Sequence, residues 1–220
     1  MNLLLAFPRT ASTWTRYIVE FFTSQTCDGY YDKKSVCQTI KDNNIETLYD
    51  IKDSTTFMTM IHHQHEIRNR PTKLILSKRN PVEVLPSFYY SKDHKNKKIS
   101  IEKFMQHLRF SDIHMIANLY KQNIKYYESF IGEKIILDYE NLMENPKQEI
   151  EKITKFLNCY NEERINSFMS NYEMHKKSCL HYKSLPKHMS VNTSGNTSKI
   201  VNILNKTLQK EIELYFQELK

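Results

Sequence analysis

Four short apolar runs stand out along the chain: Asn2–Phe7 (NLLLAF), Thr56–His62 (TFMTMIH), Lys73–Ser77 (KLILS) and Lys134–Tyr139 (KIILDY). None alternates cleanly between apolar and polar, which is the pattern of parallel strands covered on both faces. Between them, apolar positions recur at helical spacing. Trp14, Tyr17, Ile18, Phe21 and Phe22 fall at i, i+3, i+4, i+7 and i+8 and make one apolar face. A second helix is predicted to open at Asn80-Pro81, with Asn80 as N-cap, Pro81 at the first helical position and Glu83 where a capping-box acid belongs. Pro86 should bend or shorten that helix. Ile101–Phe130 reads as one or two helices. Asn145-Pro146 repeats the cap-plus-proline start, again followed by an acid, Glu149, and Ile150, Ile153, Phe156 and Leu157 supply its face. The last pattern is a long amphipathic helix carrying Ile200, Leu204, Leu208, Ile212, Tyr215 and Leu219.

Strands alternating with helices imply an α/β fold, a central parallel sheet with helices on both faces. No internal repeat is visible. Ser91–Ser100 and Ser184–Ser198 are polar and loop-like, but neither has the character of a domain linker. The expectation is one domain over residues 1–220.

Composition narrows this picture only a little. At 220 residues, 40% hydrophobic and 26% charged, the chain is an ordinary globular protein with room for a core. A net charge of +7 favours an anionic partner without saying which. Cys27, Cys37, Cys159 and Cys179 form no CxxC pair and have no metal-ligand spacing, so reduced thiols in a cytoplasmic protein are expected. Met1–Phe7 is too short for a signal-peptide core, and no apolar run reaches membrane-spanning length.

Candidate chemistry concentrates at three strand ends, where open parallel sheets bind ligands. The turn Pro8–Thr13 runs into a helix N-terminus, where unpaired N–H groups and the helix dipole favour an anion. Arg9, Ser12 and Thr13 add a cation and two hydroxyls. The turn has no Gly-Lys-Ser/Thr ending, which counts against nucleoside triphosphate chemistry. In LILSKRNPVEVLPSFYY, Arg79 lies just past a strand end and Ser87 eight residues on, a pair able to grip a phosphate. In IILDYENLMENPKQEIEKITKFLN, Tyr139 emerges at the same sheet edge.

Taken together, the three segments resemble the sulfotransferases that use 3′-phosphoadenosine 5′-phosphosulfate (PAPS). Phe7-Pro8-Arg9-Thr10-Ala11-Ser12-Thr13-Trp14 is similar to that family's Y-P-K-S-G-T-T-W. Arg79-Asn80-Pro81 with Glu83 and Ser87 is similar to its R-N-P segment. Tyr139-Glu140-Asn141-Leu142, Pro146 and Phe156-Leu157-Asn158 correspond to Y-E-D-L, a proline and a helix ending F-L-G. The match runs in order through residues 2–158. It implies a P-loop nucleotide-binding-like fold and transfer of a sulfuryl group from PAPS to a hydroxyl or amine, leaving the 3′,5′-bisphosphate PAP, with no metal.

The resemblance also implies roles. The turn Arg9-Thr10-Ala11-Ser12-Thr13 would hold the 5′-phosphosulfate, Arg79 and Ser87 the 3′-phosphate, and Trp14 and Tyr139 the adenine. Arg9 stands where the family usually has lysine. As a fixed cation it would stabilise the leaving phosphate electrostatically and donate no proton. A histidine follows the strand before R-N-P in the family, and here His62 or His63 would be the general base, with His65 behind them. A metal at His62 and His65 is a poor alternative, with no acidic or cysteine ligand at suitable spacing.

The chain departs from the family in several places. Ala11 replaces the loop glycine, which requires that the turn avoid positive φ there. The basic stretch before the last helix is missing, and Lys187, Ser190, Ser194 or Gly195 would serve the 3′-phosphate instead. No leader precedes the first strand, as expected of a compact microbial or viral version. The acceptor, a small molecule or a glycan, carries no sequence signature. A nucleic-acid partner is not expected, because Phe88, Tyr89 and Tyr90 precede the lysines of Ser91–Lys98 and do not alternate with them. The competing readings are an inactive nucleotide-binding homologue and a small P-loop-type kinase, which would want a Walker lysine and a magnesium-binding Asp.

Overall fold

The computed structural model describes residues 1–29, 35–42, 53–93, 100–184 and 202–217. Five parallel strands form one sheet: β1 (Asn2–Ala6), β2 (Gln25–Gly29), β3 (Asp53–Ile61), β4 (Lys73–Lys78) and β5 (Glu133–Asp138), in the order β2-β3-β1-β4-β5. The four apolar runs are strands. β2 is an addition, a QTCDG segment at the sheet edge whose register against β3 shifts twice.

Helices cover both faces, and β1 shows why its sequence does not alternate. Leu3 and Leu5 point to one face, with Leu74 and Leu76 of β4. Leu4 and Ala6 point to the other, with Met58, Met60 and Ile75. All are buried, so Leu3 to Ala6 of the central strand each need an apolar side chain. The first face is covered by α3 (Pro81–Asp93), α4 (Ile101–His107), α5 (Phe110–Ser129) and α10 (Lys206–Phe216). The second carries α1 (Ser12–Thr23), α2 (Val36–Asp42), α7 (Pro146–Phe156), α8 (Glu162–Ser170) and α9 (Tyr172–Ser184). A short α6 (Tyr139–Glu144) follows β5 directly.

Several local expectations are refined. Ile101–Phe130 is two helices, broken at Leu108 and Arg109. Pro86 does not shorten α3, which continues to Asp93 and so includes the first three residues of the expected Ser91–Ser100 loop. Ser184 belongs to α9, and the rest of Ser184–Ser198 lies outside the described residues, as do Ile200 and Leu219. Asn80 caps α3 through Oδ1 and the Val82 N–H (3.0 Å), but Glu83 takes no part in a capping box. Its carboxylate is held by Arg79, and the Asn80 N–H goes to Glu140 Oε1 at 3.0 Å. Glu149 likewise turns away from its own helix start, accepting the Asp138 N–H (3.3 Å) and pairing with Lys152. The family glycine after α7 is Asn158 at φ 59°, a left-handed position that Asn tolerates, and the Cys159 N–H closes the helix end on Thr154 O (2.9 Å). All four cysteines are free thiols, and burial pushes those of Cys27 and Cys37 well up from their ordinary value. Among the described residues no helix is long and apolar enough to cross a membrane.

Candidate active site

Parallel pairing places four strand exits side by side. Leu5 pairs with Ile61, Ala6 with Ser77 and Lys78 with Asp138, so the residues that follow, Phe7, His62, Arg79 and Tyr139, emerge at one edge. The three motif segments and the histidines are thereby brought together.

The turn after β1 is tight. Thr10 is fully buried, and both its N–H (3.2 Å) and its hydroxyl (2.7 Å) donate to Phe7 O. Ser77 Oγ donates to Thr10 O, Arg79 Nη1 to Arg9 O at 3.0 Å, and the N–H and hydroxyl of Thr15 to Ala11 O. The carbonyls of Phe7, Arg9, Thr10 and Ala11 are therefore all tied inward. Among the described residues, the N–H groups of Ala11 to Trp14 and the hydroxyls of Ser12 and Thr13 donate to nothing, as the first turn of a helix requires of its backbone.

This geometry overturns the expectation for Ala11. Its φ is 67°, and that of Arg9 is 77°. The turn keeps the left-handed conformation that the family's glycine allows and imposes it on an alanine, at a cost of roughly 1–2 kcal/mol for such a residue. Alternating right- and left-handed residues make a concave row of N–H groups suited to an anion.

Arg9 and Arg79 lie close enough to repel, and burial together with Arg79 lowers the Arg9 pKa. Arg9 Nε donates to Ser87 Oγ (3.3 Å). Arg79 is 4% exposed and fully engaged: Nε and Nη2 donate to Glu83 Oε2 (3.2 and 2.7 Å), and its guanidinium lies 4.0 Å from the centre of the Tyr139 ring. The two residues predicted for one phosphate thus have different partners here, Ser87 with Arg9 and Arg79 with Glu83.

Trp14 is 5% exposed and stacks on Tyr17 (5.5 Å between centroids, 13° between planes) within the second-face core. Its indole nitrogen and the Tyr172 hydroxyl, whose ring lies 5.8 Å away, are buried and interact with one another, though neither closes a hydrogen bond of normal geometry among the described residues. Ser194 and Gly195, like Lys187 and Ser190, lie outside the described residues.

His62 follows β3, and its Nδ1 is 2.7 Å from Ala6 O. A carbonyl only accepts, so Nδ1 carries the proton and the neutral ring has its lone pair on Nε2. Burial lowers the His62 pKa, and Arg16 adds to this while Ala6 O and Glu66 oppose it. His63 instead packs edge-on to Phe7 (5.8 Å) and stacks on His65 (5.4 Å, 8°), which is exposed. Among the described residues no group of three or more His, Cys, Asp or Glu side chains gathers as a metal site.

Sequence reasoning missed the residues that hold these pieces. Glu66 accepts the N–H groups of His62 (2.9 Å) and His63 (3.1 Å) on one oxygen. Asn123 and Tyr120 of α5 bind the backbone beside His62 and Arg79. Glu20, fully buried in α1, accepts from the N–H groups of Cys27, Val36 and Cys37 and from Ser35 Oγ, which ties β2 and the start of α2 to α1. Asn123 had a readable signal. It stands in the apolar stripe Ile113, Ile116, Ala117, Tyr120, Ile124, where a polar residue needs a buried partner.

A sulfotransferase-domain family model matches residues 2–219. The chain belongs to the sulfotransferase family. A similar solved structure is the mouse sulfotransferase SULT7A1 complexed with PAP, with a TM-score of 0.62 at 11% identity, covering 99% of this chain and 82% of that one. Retinol dehydratase in a complex with retinol and PAP also aligns, with a TM-score of 0.47 at 11% identity over 99% of this chain and 80% of that one. No curated protein matches by sequence. The α/β fold with its central parallel sheet is that of SULT7A1, and sulfuryl transfer is the chemistry of the family.

Proposed function

We propose that this sulfotransferase takes its sulfuryl group from PAPS and passes it to a hydroxyl or amine of a small molecule or glycan, in one domain spanning the chain. The observation that carries the donor reading is the turn after β1, whose carbonyls are tied inward while its N–H groups and two hydroxyls are left to a ligand. The PAP in the mouse relative supports the same choice. When bound, PAPS supplies the activated sulfuryl group.

The chain's own residues then divide the work. The N–H groups of Ala11 to Trp14, with Ser12 and Thr13, hold the 5′-phosphosulfate end. Arg9, a permanent cation at the head of the turn, stabilises the negative charge that grows on the leaving phosphate. His62, neutral near pH 7 because burial lowers its pKa, takes the acceptor's proton on Nε2 while Nδ1–H stays on Ala6 O. His63, turned against Phe7 and His65, is the lesser candidate. Arg79 and Ser87 serve the 3′-phosphate, which requires that Arg79 exchange Glu83 for the ligand. Trp14 and Tyr139 border the adenine.

Calorimetry with the full chain tests the donor reading. PAP is expected to bind at least tenfold more tightly than adenosine 5′-phosphate, about the 1.4 kcal/mol of a charge-assisted contact, and Arg79→Ala should erase the difference. Equal affinities in the wild type would remove the role given to Arg79 and Ser87. Radiolabelled PAPS with a panel of phenols, sugars and amines then identifies the acceptor.

A further inference from the structure

Strand pairing alone does not fix His62 relative to Arg79. They leave β3 and β4, which are not neighbours, because β1 runs between them. One helix spans the gap. On the buried stripe of α5, the Tyr120 hydroxyl accepts the Arg79 N–H at 3.0 Å and donates to the Arg79 carbonyl at 2.6 Å. One turn along, Asn123 Nδ2 donates to the His62 carbonyl at 2.7 Å and Oδ1 accepts the Gln64 N–H at 2.9 Å. Each side chain closes two bonds on one strand exit, and positions three apart lie on the same helix face. The Phe7 ring fills the space between, 5.0 Å from Tyr120 and 5.8 Å from the His63 ring.

Both residues are fully buried, and buried polar clamps of this kind hold geometry because an unmade bond there is costly. From the opposite side, Glu66 accepts the N–H groups of His62 and His63. The backbone of the His62 turn is thus gripped at 62, 63 and 64. The imidazole itself is anchored by Nδ1 on Ala6 O.

We propose that Asn123 is a positioning residue for the sulfuryl-transfer site: with Tyr120 it makes α5 a gauge that sets the His62 ring at a fixed place and tautomer relative to Arg79. The proposal rests on the reading of His62 as general base, but its test does not. Asn123 is not a catalytic residue, since it meets only backbone. Among the described residues, the charged and titratable groups that bear on His62 include Glu66 and the His63 ring (6.4 Å) from its own turn and Arg16 from α1.

The test uses the full chain with 15N-labelled imidazoles, whose NMR spectra report tautomer and titration. In the wild type His62 is expected as one tautomer, protonated on Nδ1. Asn123→Asp keeps the acceptor for Gln64 but loses the donor to His62, and is expected to give a mixture of both tautomers with unchanged PAP affinity. Glu66→Gln keeps a carbonyl oxygen for the two N–H groups while removing charge. It should hold the single tautomer and move the His62 titration further down. Should Asn123→Asp fold poorly, the smaller, uncharged Asn123→Ser is read in the same way. A single Nδ1–H tautomer with wild-type titration in a folded Asn123 variant overturns the proposal, as does a tautomer lost in Glu66→Gln but kept in Asn123→Asp. Full transfer by His62→Ala would instead end the general-base reading and leave the tautomer result standing, so the two fail separately.

Discussion

The exits of β1 and β3 lie side by side and are built in opposite senses. After β1, the carbonyls of Phe7, Arg9, Thr10 and Ala11 are taken and the following N–H groups are left outward. After β3, the N–H groups of His62, His63 and Gln64 are taken, by Glu66 and Asn123. The first exit therefore presents partial positive charge and suits an anion. The second spends its backbone donors on holding still and carries its chemistry on imidazoles. The first also stores backbone strain, with two side-chain-bearing residues at positive φ, whereas none of the four positive-φ residues among the described ones lies in the second. Charge recognition tolerates a strained loop, because a ligand stabilises it. Proton transfer does not tolerate a loose one.

The sharpest break of this contrast is at the rigid exit. His62→Ala is expected to reduce transfer by about 10²–10⁴-fold, the usual worth of a positioned general base, while PAP affinity measured by calorimetry stays as in wild type. His63→Ala should change transfer far less, because that ring packs on Phe7 and His65. If both single variants retain full activity, the base lies elsewhere.

Most of the fold was legible, and what escaped did so for physical reasons. The four strands with apolar sequences were readable because central parallel strands are buried on both faces. β2 was not, because an edge strand reading QTCDG buries few side chains and has no apolar run. The three motif segments were readable from residue types at fixed spacing. Glu66 and Tyr120 were not, since they act on backbone atoms in a neighbouring turn or about forty positions away, and Asn123 was readable only as a polar residue in an apolar stripe, its partner about sixty positions off being invisible. Ala11 was misread for a related reason. Its sequence forbids little by itself, and the positive φ is imposed by the bonds that tie four carbonyls inward around it.

A second, smaller effect probes what stands behind the strained exit. Tyr17, on which Trp14 stacks, is hydrogen-bonded to His175 Nδ1 at 2.7 Å, and the His175 ring stacks on Phe168 at 4.2 Å. Burial pushes the His175 pKa down to about 4. An unfolded histidine titrates near 6.5, so between those values the unfolded chain binds the extra proton and stability must fall with pH. The contribution of this neutral, stacked ring is complete above about pH 6.5 and is lost as pH drops toward 4. Trp14 is the only tryptophan and reports directly on this corner. Thermal melts followed by its fluorescence should show a falling midpoint over that window, and His175→Phe should flatten the slope. An unchanged slope in the variant would place the acid sensitivity in other groups, with His62, whose pKa burial also lowers, the first to examine.

The smallest effect bears on whether the strain after β1 is used or merely tolerated. Ala11→Gly removes a Cβ from a residue at φ 67° and gains roughly 1–2 kcal/mol of relieved strain. Glycine's greater freedom in the unfolded chain offsets about 0.5–1 kcal/mol of it. The net is a gain of the order of 0.5–1 kcal/mol, or about 1–4 °C in melting temperature for a chain of this size, with Ser12, Thr13 and the N–H row unmoved. If the turn already holds the anion-binding shape, PAP affinity should stay within twofold while stability rises. A large gain in PAP affinity would mean that the alanine holds the turn away from its binding shape. Lower stability would show that the Ala11 methyl, which packs against the second-face core, contributes more than the strain costs. Either result would separate two things the wild-type turn combines, a left-handed conformation and a side chain that fits it badly.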